Sequence, residues 1–96
     1  MRKLPIYKYL DISIAHIKEE TDVYLRRQVE NDNSPLIVYE KECGYFICVP
    51  YDLDIVEMHI PSDLASCLGL AQKHNCQWIV LDGGAEVINE LETYEW

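Results

Sequence analysis

The sequence predicts an α+β fold: a ferredoxin-like β-α-β-β-α-β sandwich with a four-stranded antiparallel sheet and two helices on one face. Three observations carry it. Short runs rich in β-branched and aromatic residues alternate in and out of polarity near 6–14, 36–41, 45–49 and 77–82. Two stretches with helical spacing separate them as single helices. The order strand, helix, hairpin, helix, strand packs most simply as two layers, with right-handed crossovers placing both helices on one side. At 96 residues and 49% hydrophobic composition, the chain is long enough for one core and too short for two. A single domain over 1–96 is expected, with a tail from about 85 to 96 packed on it.

The elements follow in order. In "IYKYLDISI", Ile6, Lys8, Leu10, Ile12 and Ile14 fall on one side and Tyr7, Tyr9, Asp11 and Ser13 on the other, the period of a strand. "HIKEETDVYLRRQVEND" places Glu19, Glu20 and Asp22 early and Arg26 and Arg27 late, which complements a helix dipole. Its apolar stripe is Ile17, Thr21, Tyr24, Leu25 and Val29. "PLIVYEKECGYFICVP" reads as a hairpin in which Gly44 supplies the turn's conformational freedom. Residues 51–60 fit either a loop or a short strand. Ser62 is a candidate N-cap for a second helix, with Asp63 at its positive end and Leu64, Cys67, Leu68 and Ala71 as its stripe. "CQWIVLD" is a buried strand ended by Gly83 and Gly84, and Glu86–Ile88 is a candidate short strand in the tail.

The formal charge is −9 and is unevenly spread. Residues 1–27 hold six basic and four acidic residues, +2, whereas residues 28–96 hold two basic and thirteen acidic residues, −11. Such a surface repels a phosphate backbone, so direct nucleic-acid binding is disfavoured. It serves solubility and also suits a protein partner with a basic surface. No apolar run is long enough to cross a membrane. The basic, alternating start lacks the apolar centre of a secretory peptide, so a cytoplasmic protein is expected.

Cys43, Cys48, Cys67 and Cys76 are separated by gaps that lack the tight pairs of a zinc site. Reduced, metal-free cysteines are expected, and no cofactor motif is present. "LDGGAE" lacks the spacing of a phosphate loop, and Asp82 and Glu86 would repel an anion. His16 at a strand-to-helix junction suits either a general base or a structural hydrogen bond. Asp11 and Ser13 point away from it on a strand, so no local triad forms. Tyr7, Tyr9, Tyr39 and Tyr45 lie on strands, where tyrosine gives rigid amphipathic area for protein contact.

"SIAHI", the hairpin segment and "CQWIVLDGGAEVINELETYEW" together resemble an uncharacterised family of small bacterial proteins and C-terminal domains. That family carries a domain-of-unknown-function label and is associated with plasmids, phages and integrative elements. Its members similarly close on a "TYEW"-like end, and where they tend to have proline before the Thr-Tyr this chain has Glu92. The resemblance implies a mobile-element setting and no established activity, so no catalytic residue is carried over.

The function expected is a small, acidic, non-catalytic binding or regulatory protein of a mobile element. It would modulate or inhibit a host defence-type protein that acts on nucleic acid, such as a CRISPR or restriction protein. The alternatives are an accessory partner in the element's own transfer or maintenance complex, or a small hydrolase using His16. The candidate binding acids are Asp52, Asp54, Glu57, Glu86, Glu90, Glu92 and Glu95. Tyr94 and Trp96 are the candidate tail anchors, laying both rings on the domain.

Overall fold

A computed structural model describes residues 3–53 and 58–96. Its first strand, β1, runs over Tyr9–Ser13 and passes into a 3-10 turn at Ile14–His16. Helix α1 spans Glu19–Glu30. The hairpin strands are β2, Val38–Lys41, and β3, Gly44–Cys48. Helix α2 covers Ser62–Lys73 and strand β4 covers Trp78–Asp82. Within the segment 51–60, residues 54–57, which include Asp54 and Glu57, lie outside the described residues.

The four strands form one sheet in the order β1-β4-β3-β2. The β2–β3 and β3–β4 pairs are antiparallel, but β1 runs parallel to β4, with Tyr9 opposite Trp78 and Ser13 opposite Asp82. The expectation of a purely antiparallel sheet is therefore corrected: the sheet is mixed, with β1 at an edge beside the last strand. Alternation could not have revealed this, because parallel and antiparallel strands share a side-chain period of two.

Both helices contribute to a single core on one face of the sheet. Ile12, Tyr45, Ile47, Ile79 and Leu81 point inward from the strands and meet Leu25 of α1 and Leu64, Cys67, Leu68 and Ala71 of α2. In β1, Leu10 and Ile12 turn toward the core and Tyr9 and Asp11 toward solvent, as its alternation predicts, but Ser13 of the outward set is buried. Helix α1 buries Thr21, Asp22 and Leu25, while Val29 of the predicted stripe is exposed.

The start of α2 corrects one reading and keeps Asp63 in the first turn, as expected. The N-cap of α2 is Pro61, and no side chain caps it; Ser62 is already helical. Asp63 instead reaches across to α1, accepting the Lys18 backbone N–H at 2.7 Å and the Thr21 hydroxyl at 2.7–2.8 Å. One buried carboxylate thus ties the starts of the two helices together. At its other end α2 closes with Asn75 in the left-handed region, φ 61°. The Asn75 N–H donates to the Gln72 carbonyl and the Cys76 N–H to that of Ala71, the paired bonds of a Schellman cap.

Gly44 also differs from expectation. The left-handed residue of the hairpin turn is Cys43, φ 65°, and Gly44 has no positive φ. Gly44 is needed for a different reason: a Cβ there would overlap the Leu81 carbonyl oxygen and lie 2.8 Å from its carbon. Only a glycine lets β3 lie this close to β4.

The four cysteines are free thiols, and among the described residues no group of His, Cys, Asp or Glu could hold a metal ion. Cys67 is fully buried, and burial, with Asp63 nearby, pushes its thiol up to about 12. Cys43 is exposed. Alkylation of the native protein at mildly alkaline pH should modify Cys43 first and leave Cys67 untouched until the domain unfolds. Peptide mass spectrometry after timed labelling checks the order, and early modification of Cys67 would contradict the packing described. No described helix is long and apolar enough to cross a membrane.

Candidate functional site

Two surfaces hold the residues singled out by the sequence. The first lies where the tail crosses the starts of the helices, and its organising residue is His16. Strand β1 ends at Ser13, whose hydroxyl accepts the Ala15 N–H and folds the chain into the 3-10 turn. That turn buries His16 to 2% exposure. The Ile88 backbone N–H donates to Nε2 of His16 at 3.0 Å, so the ring proton sits on Nδ1, which donates to the Glu92 carbonyl at 2.8 Å. Both ring nitrogens are thereby engaged by tail backbone.

Further bonds run alongside. The Ser13 N–H donates to the Glu86 carbonyl at 2.9 Å and the Tyr94 N–H to that of Ala15 at 2.8 Å. The Trp96 indole N–H donates to the Ile17 carbonyl at 3.0 Å. The Lys18 ammonium lies 5.5 Å from the centre of the Tyr94 ring, within the range of a cation–π contact. Residues 86–88 form no regular strand, in contrast to the sequence reading; a single carbonyl bonds the end of β1. Trp96 also sits differently from expectation. The residue is 52% exposed, and its indole N–H bond to Ile17 fastens it to the domain.

The acidic candidates divide. Glu90 and Glu92 line one groove beside His16, Asp63 and Tyr94. Glu95 lines the next, with Glu19, Glu20, Lys18, Tyr94 and Trp96. Glu86 is exposed at the root of the tail, and Asp52 is exposed on a separate loop. Glu19 and Glu20, read from the sequence as helix-dipole partners, thus join the tail acids. No local signal could have placed them there, since the tail reaches them only through the fold.

Near this region Asp22 is buried, with Oδ1 accepting the Tyr45 hydroxyl at 2.7 Å and Oδ2 accepting Nη2 of Arg26 at 2.6 Å. Burial, then the bond to Asp22, pushes the Tyr45 phenol up to about 12. Lys41 and Asp82 form an ion pair across the sheet, which holds the Asp82 carboxyl below the usual range.

The second surface is the sheet face away from the helices. Register places Tyr9 beside Trp78, Trp78 beside Cys48, and Phe46 between Tyr39 and Val80. The Tyr39 and Trp78 rings stack with centroids 6.2 Å apart at 30°. Together with Tyr7 and Lys8 these aromatics line a groove of about 290 Å³. Tyr7, Tyr9 and Tyr39 are each exposed by more than half. Tyr45, grouped with them in the sequence, points into the core instead. Phe46 and Trp78 complete the patch; the outward parity of their strands was the available signal.

The described residues form a small α+β fold with a four-stranded mixed sheet, two α-helices and a tail held by a buried histidine. The chain belongs to a family of unknown function (DUF5983), whose C-terminal domain it matches over residues 9–96. No curated protein and no solved structure matches it.

Proposed function

We propose that the protein is a non-catalytic binding module that acts on another protein. The observation that supports this best is the open aromatic face of the sheet, since monomers seldom leave such a contiguous patch in water without using it. His16 supports it too. A general base needs a free nitrogen to take a proton, and both of its nitrogens are held by the tail. The net charge of −9 favours a partner with a basic surface and speeds encounter with it. In the mobile-element setting that the resemblance implies, such a partner is a host defence-type protein whose own ligand is nucleic acid. The protein would modulate or inhibit it from the acidic side of the domain.

The test is a pull-down from host lysate with mass spectrometry, run at low and high salt. A specific basic protein should be retained at low salt and released as salt screens the exposed charges. Replacing Glu90, Glu92 and Glu95 with glutamine should weaken retention while leaving the melting temperature close to that of the parent. Retention unchanged by salt and by the three substitutions would refute an electrostatic interface.

A further inference from the structure

The aromatic groove has a definite chemistry. Its lining is Tyr7, Lys8, Tyr9, Tyr39, Phe46 and Trp78, so five of six side chains offer a π-face. The one cation among them is turned aside, because the Lys8 ammonium donates to the His74 carbonyl at 2.8 Å. Further along the same face stand the exposed carboxylate of Asp11 and the Lys41–Asp82 pair, whose charges cancel.

Three kinds of occupant fit an exposed aromatic sheet face. Single-stranded nucleic acid stacks on such rings, but its phosphates would approach a chain of charge −9. A second copy would bring another −9 against the first, and six side chains are far fewer than the roughly 20–30 residues a side of a stable interface. A polypeptide segment bearing guanidinium or ammonium groups among apolar residues meets both properties of the surface. Its cations are drawn to the negative faces of the rings and to the negative field of the whole chain, while its apolar side chains cover the patch.

Building on the reading of the protein as a binding module, we propose that this face docks a cationic, apolar-interrupted polypeptide segment of the partner, with arginine or lysine side chains over Trp78, Tyr39 and Tyr9. The surface is separate from the acidic tail region and adds a second, short-range contact to the long-range attraction exerted there.

The two tryptophans make the test internally controlled. Trp78 lines the groove, whereas the Trp96 indole N–H is bonded to Ile17 in the tail. Each gives its own indole resonance in a proton–nitrogen correlation spectrum of the full chain. Titration with an acetylated hexapeptide of alternating arginine and leucine should shift the Trp78 resonance saturably and leave that of Trp96 in place. The same peptide with citrulline for arginine should bind at least about fivefold more weakly, the loss expected when cation–π contacts are removed. A Tyr9→Ser, Tyr39→Ser double variant removes two rings of the groove, one of them stacked on Trp78; it should stay folded by circular dichroism and lose most of the shift. Equal binding of the citrulline peptide would overturn the proposal. So would saturable binding of an oligothymidylate to this face, or a Trp78 shift produced by raising protein concentration alone. If the arginine peptide moves only tail resonances, the docking face is refuted while the acidic binding surface stands. If it moves neither, and lysate capture also fails, both readings fall.

Discussion

Replacing Gly44 by alanine should lower the melting temperature by roughly 15 °C or more, or prevent folding. The added Cβ would overlap the Leu81 carbonyl and sit 2.8 Å from its carbon. Both are backbone atoms of β4, so no side-chain rotation relieves the contact. The relief available is separation of β3 from β4, which breaks the register that pairs Gly44 with Asp82 and Tyr45 with Leu81. These are the two inner strands of the sheet. Overpacking of a core commonly costs about 1–3 kcal/mol, and a clash on rigid backbone lies at or above that range. A domain of this size has on the order of 5–10 kcal/mol in all, and each 1 kcal/mol moves its midpoint by about 4–8 °C. Thermal unfolding followed by circular dichroism measures the shift. The control is Gly69→Ala, where nothing lies within 4 Å of an added Cβ and where alanine favours the helix by about 1 kcal/mol. A Gly44→Ala protein that melts with the parent would show that the strands are not this closely spaced.

The tail should prove to be part of the folded domain. Removing residues 92–96 deletes the Glu92 carbonyl that accepts from His16, the Tyr94 N–H bonded to Ala15 and the Trp96 indole bonded to Ile17. Leaving a buried donor or acceptor unpaired costs about 1–3 kcal/mol each. The truncated chain should therefore melt on the order of 10 °C lower. His16→Phe keeps a ring in the site but leaves the Ile88 N–H and the Glu92 carbonyl without partners, and a fall of similar size is expected. The two changes share the His16–Glu92 bond, so together they should cost less than their sum. Full additivity would mean that the histidine does not hold the tail. A truncated protein that melts like the parent yet loses its partner would make the tail a hook rather than a fastening.

The strands, the hairpin and the stripe of α2 were legible in the sequence because their signals are local. Leu64, Cys67, Leu68 and Ala71 recur at helical spacing, and all four are buried. What escaped depended on distant neighbours. His16 and Glu92 are 76 residues apart, and Thr21 and Asp63 are 42 apart. No short window contains either pair. Gly44 was rightly placed at the hairpin but given the wrong task, since a turn glycine and a close-approach glycine look alike in sequence. The acids beside the tail tip, Glu19 and Glu20, already had a sufficient local role at the start of α1. The acids of residues 90–95 could be counted but not positioned until the tail's course was known.

The parallel pairing of β1 with β4 also bears on how the chain acquires its structure. Tyr9 must find Trp78 across nearly the whole sequence, and the loop that joins them contains both helices and the hairpin. The entropy of closing that loop is lost before the pairing repays it. The hairpin, whose two strands are joined by a turn of only Glu42 and Cys43, can form early by comparison. During synthesis β1 therefore waits, with its strand edge unpaired, until residues 78–82 have left the ribosome. Loop closure thus places the docking of β1 onto β4 after the hairpin in the order of folding.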